Sequence, residues 1–362
     1  MSKIRYVPHP GEYIKDEILE LGMNQNEFAI RIGTTGKTLS KIINGEANLT
    51  FEIAAKLADF FGTSVNMWMN LQTAYLEYLR NLEIEKQEKE ELRIFSYFDK
   101  EYLKNILNKE ITKDNRKEII LELKKLFMVS NLSCLNSKDL FAFCRTSVIK
   151  DIDEKQLVLR NAWISFAMYK SRNIHCEEYN EKILYKYIPK IKELMSEKPE
   201  IFIPKLKEYL SLSGIKLVVL PYLKGSNISG VTRWLPNENA IMIAINDSGK
   251  DADKIWFNIF HELGHAIQNK KRHITISLEK DKINDEDEIQ ANNFARNTLI
   301  NEKEYIDFIN NKNFKINDIE LFAKKQNIPL FIVIGRLQND GYINWNEYTE
   351  FKPKYKMSFQ IN

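Results

Sequence analysis

The chain has 362 residues, of which 44% are hydrophobic and 28% charged, a length that suits two or three domains and a mixture that excludes collagen-like, low-complexity and wholly disordered chains. Its 53 Lys and Arg are nearly balanced by 50 Asp and Glu, so any nucleic-acid site must be local. Neither an apolar leader nor a run of about 18 apolar residues occurs, so no signal peptide and no membrane span is expected, and a cytoplasmic protein is.

Residues 1 to about 80 read as five short helices. Pro10 suits a first helical position, and Gly22 follows the apolar set Ile14, Ile18, Leu19 and Leu21. Asn24 with Glu27 opens a second helix that stops at Gly33. Thr34 or Thr35 caps a third, ending at Asn44–Gly45. Thr50 caps a fourth, Phe51 to Phe61, closed by Gly62. Ser64 caps a fifth through Trp68 and Leu71 towards Tyr78. The second and third fit a helix-turn-helix. Its recognition helix presents Thr35, Gly36, Lys37 and Thr38 to base edges with Lys41 one turn on, and Gln25 is placed for a phosphate. This segment holds eight Lys and Arg against nine Asp and Glu, which predicts modest non-specific affinity and a dependence on dimerisation. Met67, Trp68 and Leu71 read as core or dimer contacts.

Residues 81–200 read as a helical linker or dimerisation region. Its charge run, Glu83 to Glu91, is a solvated helix face. Cys134, Cys144 and Cys176 form no CxxC pair, which speaks against a disulfide framework or zinc ribbon and for a reducing compartment.

Residues 201–341 begin with three strand-like runs, Ile215 to Leu220, Ile228 to Leu235 and Ala240 to Ile245. Helices follow at Ile255 to Gln268, at Asp287 to Leu299, from a cap at Asn317 to Gln326, and from Pro329 to before Gly341; residues 342–362 form a tail. The first of these helices carries His261-Glu262-Leu263-Gly264-His265. Residues four apart share a helix face, so two imidazoles can bind one metal ion while Glu262 reaches a water on it, the HExxH arrangement of zinc peptidases. The plain alternative is two buried histidines with satisfied hydrogen bonds. A third ligand must come from elsewhere, and Glu286, Asp287 and Glu288 are on offer. Glu288 is favoured because Asn292 follows one turn on, where it can hold a ligating imidazole; Glu286 is the alternative. Glu262 is the expected general base. Arg233 and His273 are weak candidates for an oxyanion helper, and the strand Gly230 to Leu235 is expected to pair with extended substrate along its edge.

The segments His9-Pro10-Gly11-Glu12, Asn24 to Ala29, Leu39 to Gly45, Ala58 to Ser64 and Trp68 to Gln72 resemble HigA-type antitoxins of the XRE helix-turn-helix family. Ser229 to Trp234, His261 to His265 and Ala291 to Ala295 resemble the ImmA/IrrE family of metallopeptidases, and Gly335 to Gly341 is similar to such fused proteins. The resemblance implies an operator-binding homodimeric regulator joined to a zinc endopeptidase of gluzincin type, with Glu288 as third ligand and a repressor, antitoxin or cognate toxin as protein partner. Asn301 stands where the family usually has Pro, and Gln290 where it often has an acid. The expected fold is α+β and mostly α: a five-helix domain at 1–80, the helical region at 81–200, and a gluzincin-like domain with a small three-stranded sheet. The competing reading is a non-catalytic antitoxin or repressor whose zinc domain senses or binds a partner.

Overall fold

The computed structural model describes residues 5–140, 152–268, 286–358 and the backbone of 274–278. It divides into two compact units, Met1–Leu92 and Arg93–Asn362.

The first unit holds α1 (Pro10–Glu20), α2 (Gln25–Arg31), α3 (Gly36–Ile43), α4 (Phe51–Phe61) and most of α5 (Val65–Phe95). Side-chain caps start four of them: the oxygens of Asn24, Thr35, Thr50 and Ser64 accept from the N–H groups of Glu27, Thr38, Ile53 and Met67. Their apolar faces meet in one core around Ile14, Phe28, Leu39 and Leu57. Trp68 closes that core, its indole N–H donating to Thr63 Oγ1 at 2.9 Å, whereas Met67 is exposed. The cap of α1 is His9, which the sequence reading passed over. Its Nδ1 accepts from the Gly11 N–H at 2.9 Å while Glu12 Oε1 accepts from the His9 N–H at 3.2 Å, a reciprocal capping box. Burial lowers the His9 pKa and so keeps the ring neutral, as an acceptor nitrogen requires. The fifth helix runs well past Tyr78, because the charge run continues it with pairs such as Gln87 to Glu83.

The second unit contains α6 (Lys100–Leu107), α7 (Arg116–Phe127), α8 (Glu154–Ser171), α9 (Glu181–Glu193), α10 (Pro199–Leu212), β1 (Ile215–Val219), β2 (Ile228–Leu235), β3 (Ala240–Ile245), α11 (Ala252–Gln268), β4 (Ile274–Leu278), α12 (Glu286–Leu299), α13 (Glu302–Asn310), α14 (Ile316–Gln326) and α15 (Leu330–Asn339). The three expected strands form, and β4 joins them in the order β1-β3-β2-β4. Strand β1 runs parallel to β3, whereas β2 is antiparallel to both β3 and β4. Both edges of β2 are therefore paired, which corrects the expectation that it offers an edge to substrate.

Strands β1 and β3 are buried at every position, so their sheet has helices on both faces. Leu217, Val219, Ile243 and Ile245 belong to the core built with α10 and α11. By the two-residue alternation of a strand, Lys216, Val218, Met242 and Ala244 point the other way, towards α8. Trp163 of α8 is fully buried and donates to the Pro221 carbonyl at 3.2 Å. From Arg93 on, the segment expected as a linker or dimerisation region packs in the same unit as the sheet, and α8 is one of its layers.

Asn301, noted above as replacing Pro, caps α13 by accepting from the Glu304 N–H at 3.1 Å. Helix α14 begins at Ile316, one residue before the expected cap Asn317, with Lys315 in the cap position and Ile316 packed against the core. The described part of the tail, to residue 358, is tied down. Pro353 O accepts from Ala252 N–H and Lys250 O from Tyr355 N–H, while Asp247 Oδ2 accepts from Met357 N–H, so the tail clasps the start of α11. Cys134 and Cys176 are free thiols, and Cys144 lies outside the described residues. Among those residues, no helix is long and apolar enough to cross a membrane.

Candidate metal centre

Helix α11 places His261 and His265 one turn apart on its buried face, with Leu263 turned into the core. Gly264 faces Ala291 of α12. A Cβ there would sit 2.9 Å from Ala291 Cα, so only glycine lets α12 approach this far. Glu288, Ala291, Asn292 and Ala295 recur at helical spacing on the α12 face turned to α11.

The result is a buried cluster in which the ligand atoms of His261, His265 and Glu288 lie within 4.8 Å of one another. The two Nε2 atoms are 3.0 Å apart, and each is 3.2 Å from a Glu288 carboxylate oxygen. Nδ1 of His261 is 3.0 Å from Asn292 Oδ1. Nδ1 of His265 is 3.3 Å from Gln268 Oε1, and Gln268 Nε2 donates to the Asp287 carbonyl at 2.6 Å. With both Nδ1 atoms directed at carbonyl oxygens, both Nε2 lone pairs face the space shared with Glu288. Burial alone would raise the Glu288 carboxyl; hydrogen bonds and charge from the two imidazoles instead hold it down at about 2. Burial pushes His265 down, but Glu288 and Glu262 outweigh it and leave its pKa raised. Two imidazole nitrogens and one carboxylate form a donor set that fits zinc.

Glu262 is fully buried beside this cluster. Its Oε2 accepts from Thr232 Oγ1 at 2.6 Å. A Cβ on Gly230 would fall 2.3 Å from its Oε1, so the bare glycine makes room for the carboxyl. Gly230 and Thr232 share a face of β2, and Arg233 points the opposite way, where its Nη1 meets Met168 Sδ at 2.6 Å. Arg233 is thereby removed as an oxyanion candidate. His273 lies outside the described residues. Gln290 is exposed and bonds Glu286 Oε1; Glu286 is itself exposed, away from the cluster that Glu288 joins.

The reading of single residues missed Gly230, Thr232 and Gln268. The signal for the first two lay in a strand motif whose face was undecided, and Gln268 had only its place three residues after His265. Gly264→Ala is expected to force α12 off α11, destabilising the unit by about 1–3 kcal/mol and weakening metal uptake; thermal unfolding with a zinc titration checks both.

In the first unit, Lys37, Thr38 and Lys41 are exposed on α3. Neither lysine has an acidic partner among the described residues, so both charges are free for a ligand. Thr35 is exposed, but its hydroxyl serves the cap of α3. Gly36 is half-buried, and a Cβ there would meet Asn26 Oδ1 at 2.3 Å. Gln25 sits half-buried in the first turn of α2.

Known proteins match the chain in two separate pieces. The family described as Helix-turn-helix matches residues 14–68, and the family described as IrrE N-terminal-like domain matches residues 213–338. The HTH-type transcriptional regulator YddM of Escherichia coli, itself uncharacterized, is 40% identical over 68 residues, 19% of this chain and 72% of its own length. Antitoxin HigA-1 of Vibrio cholerae is 38% identical over 65 residues, 18% of this chain and 61% of its own length. An addiction module antidote protein of a HigA family from Coxiella burnetii is 31% identical, covering 24% of this chain and 95% of that one, with a TM-score of 0.23. A Pseudomonas aeruginosa protein solved in complex with its operator DNA is 28% identical, covering 23% of this chain and 91% of that one, with a TM-score of 0.22. These four relatives span about a quarter of the chain or less.

Proposed function

Since this chain belongs to the helix-turn-helix regulators through residues 14–68 and carries an IrrE N-terminal-like domain at residues 213–338, we propose that it is a cytoplasmic DNA-binding regulator or antitoxin with a fused zinc endopeptidase that cleaves a protein partner such as a repressor or antitoxin. The observation that carries the enzymatic half is the convergence of His261, His265 and Glu288 beside the buried carboxylate of Glu262.

His261, His265 and Glu288 would hold the metal, with Asn292 orienting the ring of His261. Zinc, when bound, polarises the scissile carbonyl and makes water a competent nucleophile near neutral pH. Glu262 takes the proton of that water on its carboxylate and returns it to the departing amine nitrogen. The Thr232 hydroxyl bonds one oxygen of that carboxylate and fixes its rotamer. A scaffold that only stored metal would have no use for a base at this position, which favours the enzyme over a sensor.

The regulatory half rests on α3. Lys37, Thr38 and Lys41 reach operator bases and phosphates, and the Gln25 amide bonds a phosphate from the start of α2. The similarity of this segment to a relative named as an antitoxin and to one named as an HTH-type transcriptional regulator supports this reading. With acids and bases nearly balanced in residues 1–80, tight binding needs a homodimer reading two half-sites.

Wild type and Glu262→Gln, both zinc-loaded, are to be incubated with host lysate and the new protein termini read by mass spectrometry. Cleavage should fall about 10²–10⁴-fold in the variant with zinc content unchanged. Identical termini from both proteins, with zinc confirmed in each, would transfer the function to a non-catalytic sensor.

A further inference from the structure

The geometry points to Gln268 as a positioning residue that locks the ring of His265 and the first turn of α12 together. The inference rests on the metal reading above and adds to it a residue that neither the HExxH spacing nor the acidic run identifies.

Gln268 is the last residue of α11, three after His265. Its amide makes two contacts in opposite senses. The Asp287 carbonyl can only accept, so the atom 2.6 Å from it is the amide nitrogen. The amide oxygen is then the atom 3.3 Å from His265 Nδ1, and that nitrogen must carry the ring proton. The neutral ring is thereby set with its Nε2 lone pair towards His261 Nε2 and Glu288. The same side chain grips the backbone one residue before Glu288, so a single amide sets both the second imidazole and the third ligand. His261 is held differently, by Asn292 reaching across from α12. The two rings thus depend on two separate amides, and loss of one leaves the other in place.

The test uses the full-length protein as wild type, Gln268→Leu and Gln268→Glu. Leucine keeps the approximate volume and removes both bonds; glutamate keeps an acceptor for Nδ1 but no donor for the Asp287 carbonyl. Thermal unfolding first establishes that each variant folds. Zinc dissociation constants are then measured by competition with a chromogenic chelator. Ring ¹⁵N shifts of His265 are recorded in metal-free protein as the pH is raised until they reach the plateau of the neutral ring. Gln268→Leu should bind zinc about 10–100-fold more weakly and lose the pure Nδ1–H tautomer, while Gln268→Glu recovers most of the affinity. A folded Gln268→Leu with wild-type affinity and tautomer overturns the inference, as do equal losses in both variants. Wild type that shows the Nδ1–H tautomer but takes up no zinc supports the lock on the ring and overturns the metal reading instead, so the two failures are distinguishable.

Discussion

A fragment of residues 174–362, which keeps every element from α9 onwards but lacks α8, is expected to be recovered molten or aggregated. The IrrE N-terminal-like match begins at residue 213, which invites such a cut. The sheet forbids it. Val218, Met242 and Ala244 point away from α11 and are fully buried, as are Leu159, Trp163 and Phe166 of α8. Removing α8 exposes one face of a mixed sheet in which β1 and β3 are buried at every position, with no polar alternation in their burial. Each large apolar side chain whose burial is lost, whether exposed on the sheet or deleted with α8, forfeits about 1.5–3 kcal/mol, so the lost layer amounts to roughly 10 kcal/mol. That is comparable with the whole stability of an ordinary domain. Circular dichroism melts of this fragment and of residues 93–362 are the check. The longer piece should unfold cooperatively, and a cooperative transition in the shorter one at the same temperature would refute the layer argument.

Lys352→Met is expected to lower stability by about 3–5 kcal/mol at neutral pH, because it removes one partner of a buried ion pair. Lys352 is 7% exposed; its Nζ lies 3.0 Å from Asp253 Oδ2 and donates to Gln338 Oε1 at 2.9 Å. Asp253 sits in the first turn of α11, so the pair ties the tail to the helix that bears His261 and His265. Burial already pushes the Asp253 carboxyl above its ordinary range, and the Lys352 ammonium pulls it back. Without that cation the folded-state pKa rises further above the unfolded one. A carboxyl raised on folding loses stability as pH climbs through the unfolded value towards the folded one. The deficit of the variant should therefore be smallest near the unfolded carboxyl pKa of about 3.9 and largest at neutral pH and above. Chemical denaturation across that range measures it. Adding Asp253→Asn should recover much of the loss, since no buried charge is then left alone; a deficit independent of pH would assign the effect to packing.

The clasped tail marks a limit of reading along the chain. Residues 342–358 carry no periodicity, because their contacts are backbone bonds and single side chains set against residues about a hundred positions earlier. The same holds for Arg233. Its polarity suggested a site residue, but which face of β2 looks at α11 is a matter of pairing register, and register put Gly230 and Thr232 there. Helix α8, residues 154–171, carries no motif and reads only as part of a helical linker or dimerisation region. In the folded chain both its apolar and several of its polar positions are buried, Arg160 and Asn161 among them.

Local physics was legible wherever a few neighbouring residues suffice. Asn24, Thr35, Thr50 and Ser64 cap the helices they precede because a side-chain oxygen two or three residues from an orphan N–H needs no distant partner. The four-residue spacing of His261 and His265 put both rings on one helix face for the same reason. Tertiary structure alone decided what meets that face. Glu288 reaches it because Gly264 lets α12 come close, Glu262 is oriented because Gly230 and Thr232 of β2 lie over it, and α8 makes the sheet beneath them a buried layer. Those relations join residues tens of positions apart, and only the packing of the whole unit fixes their distances.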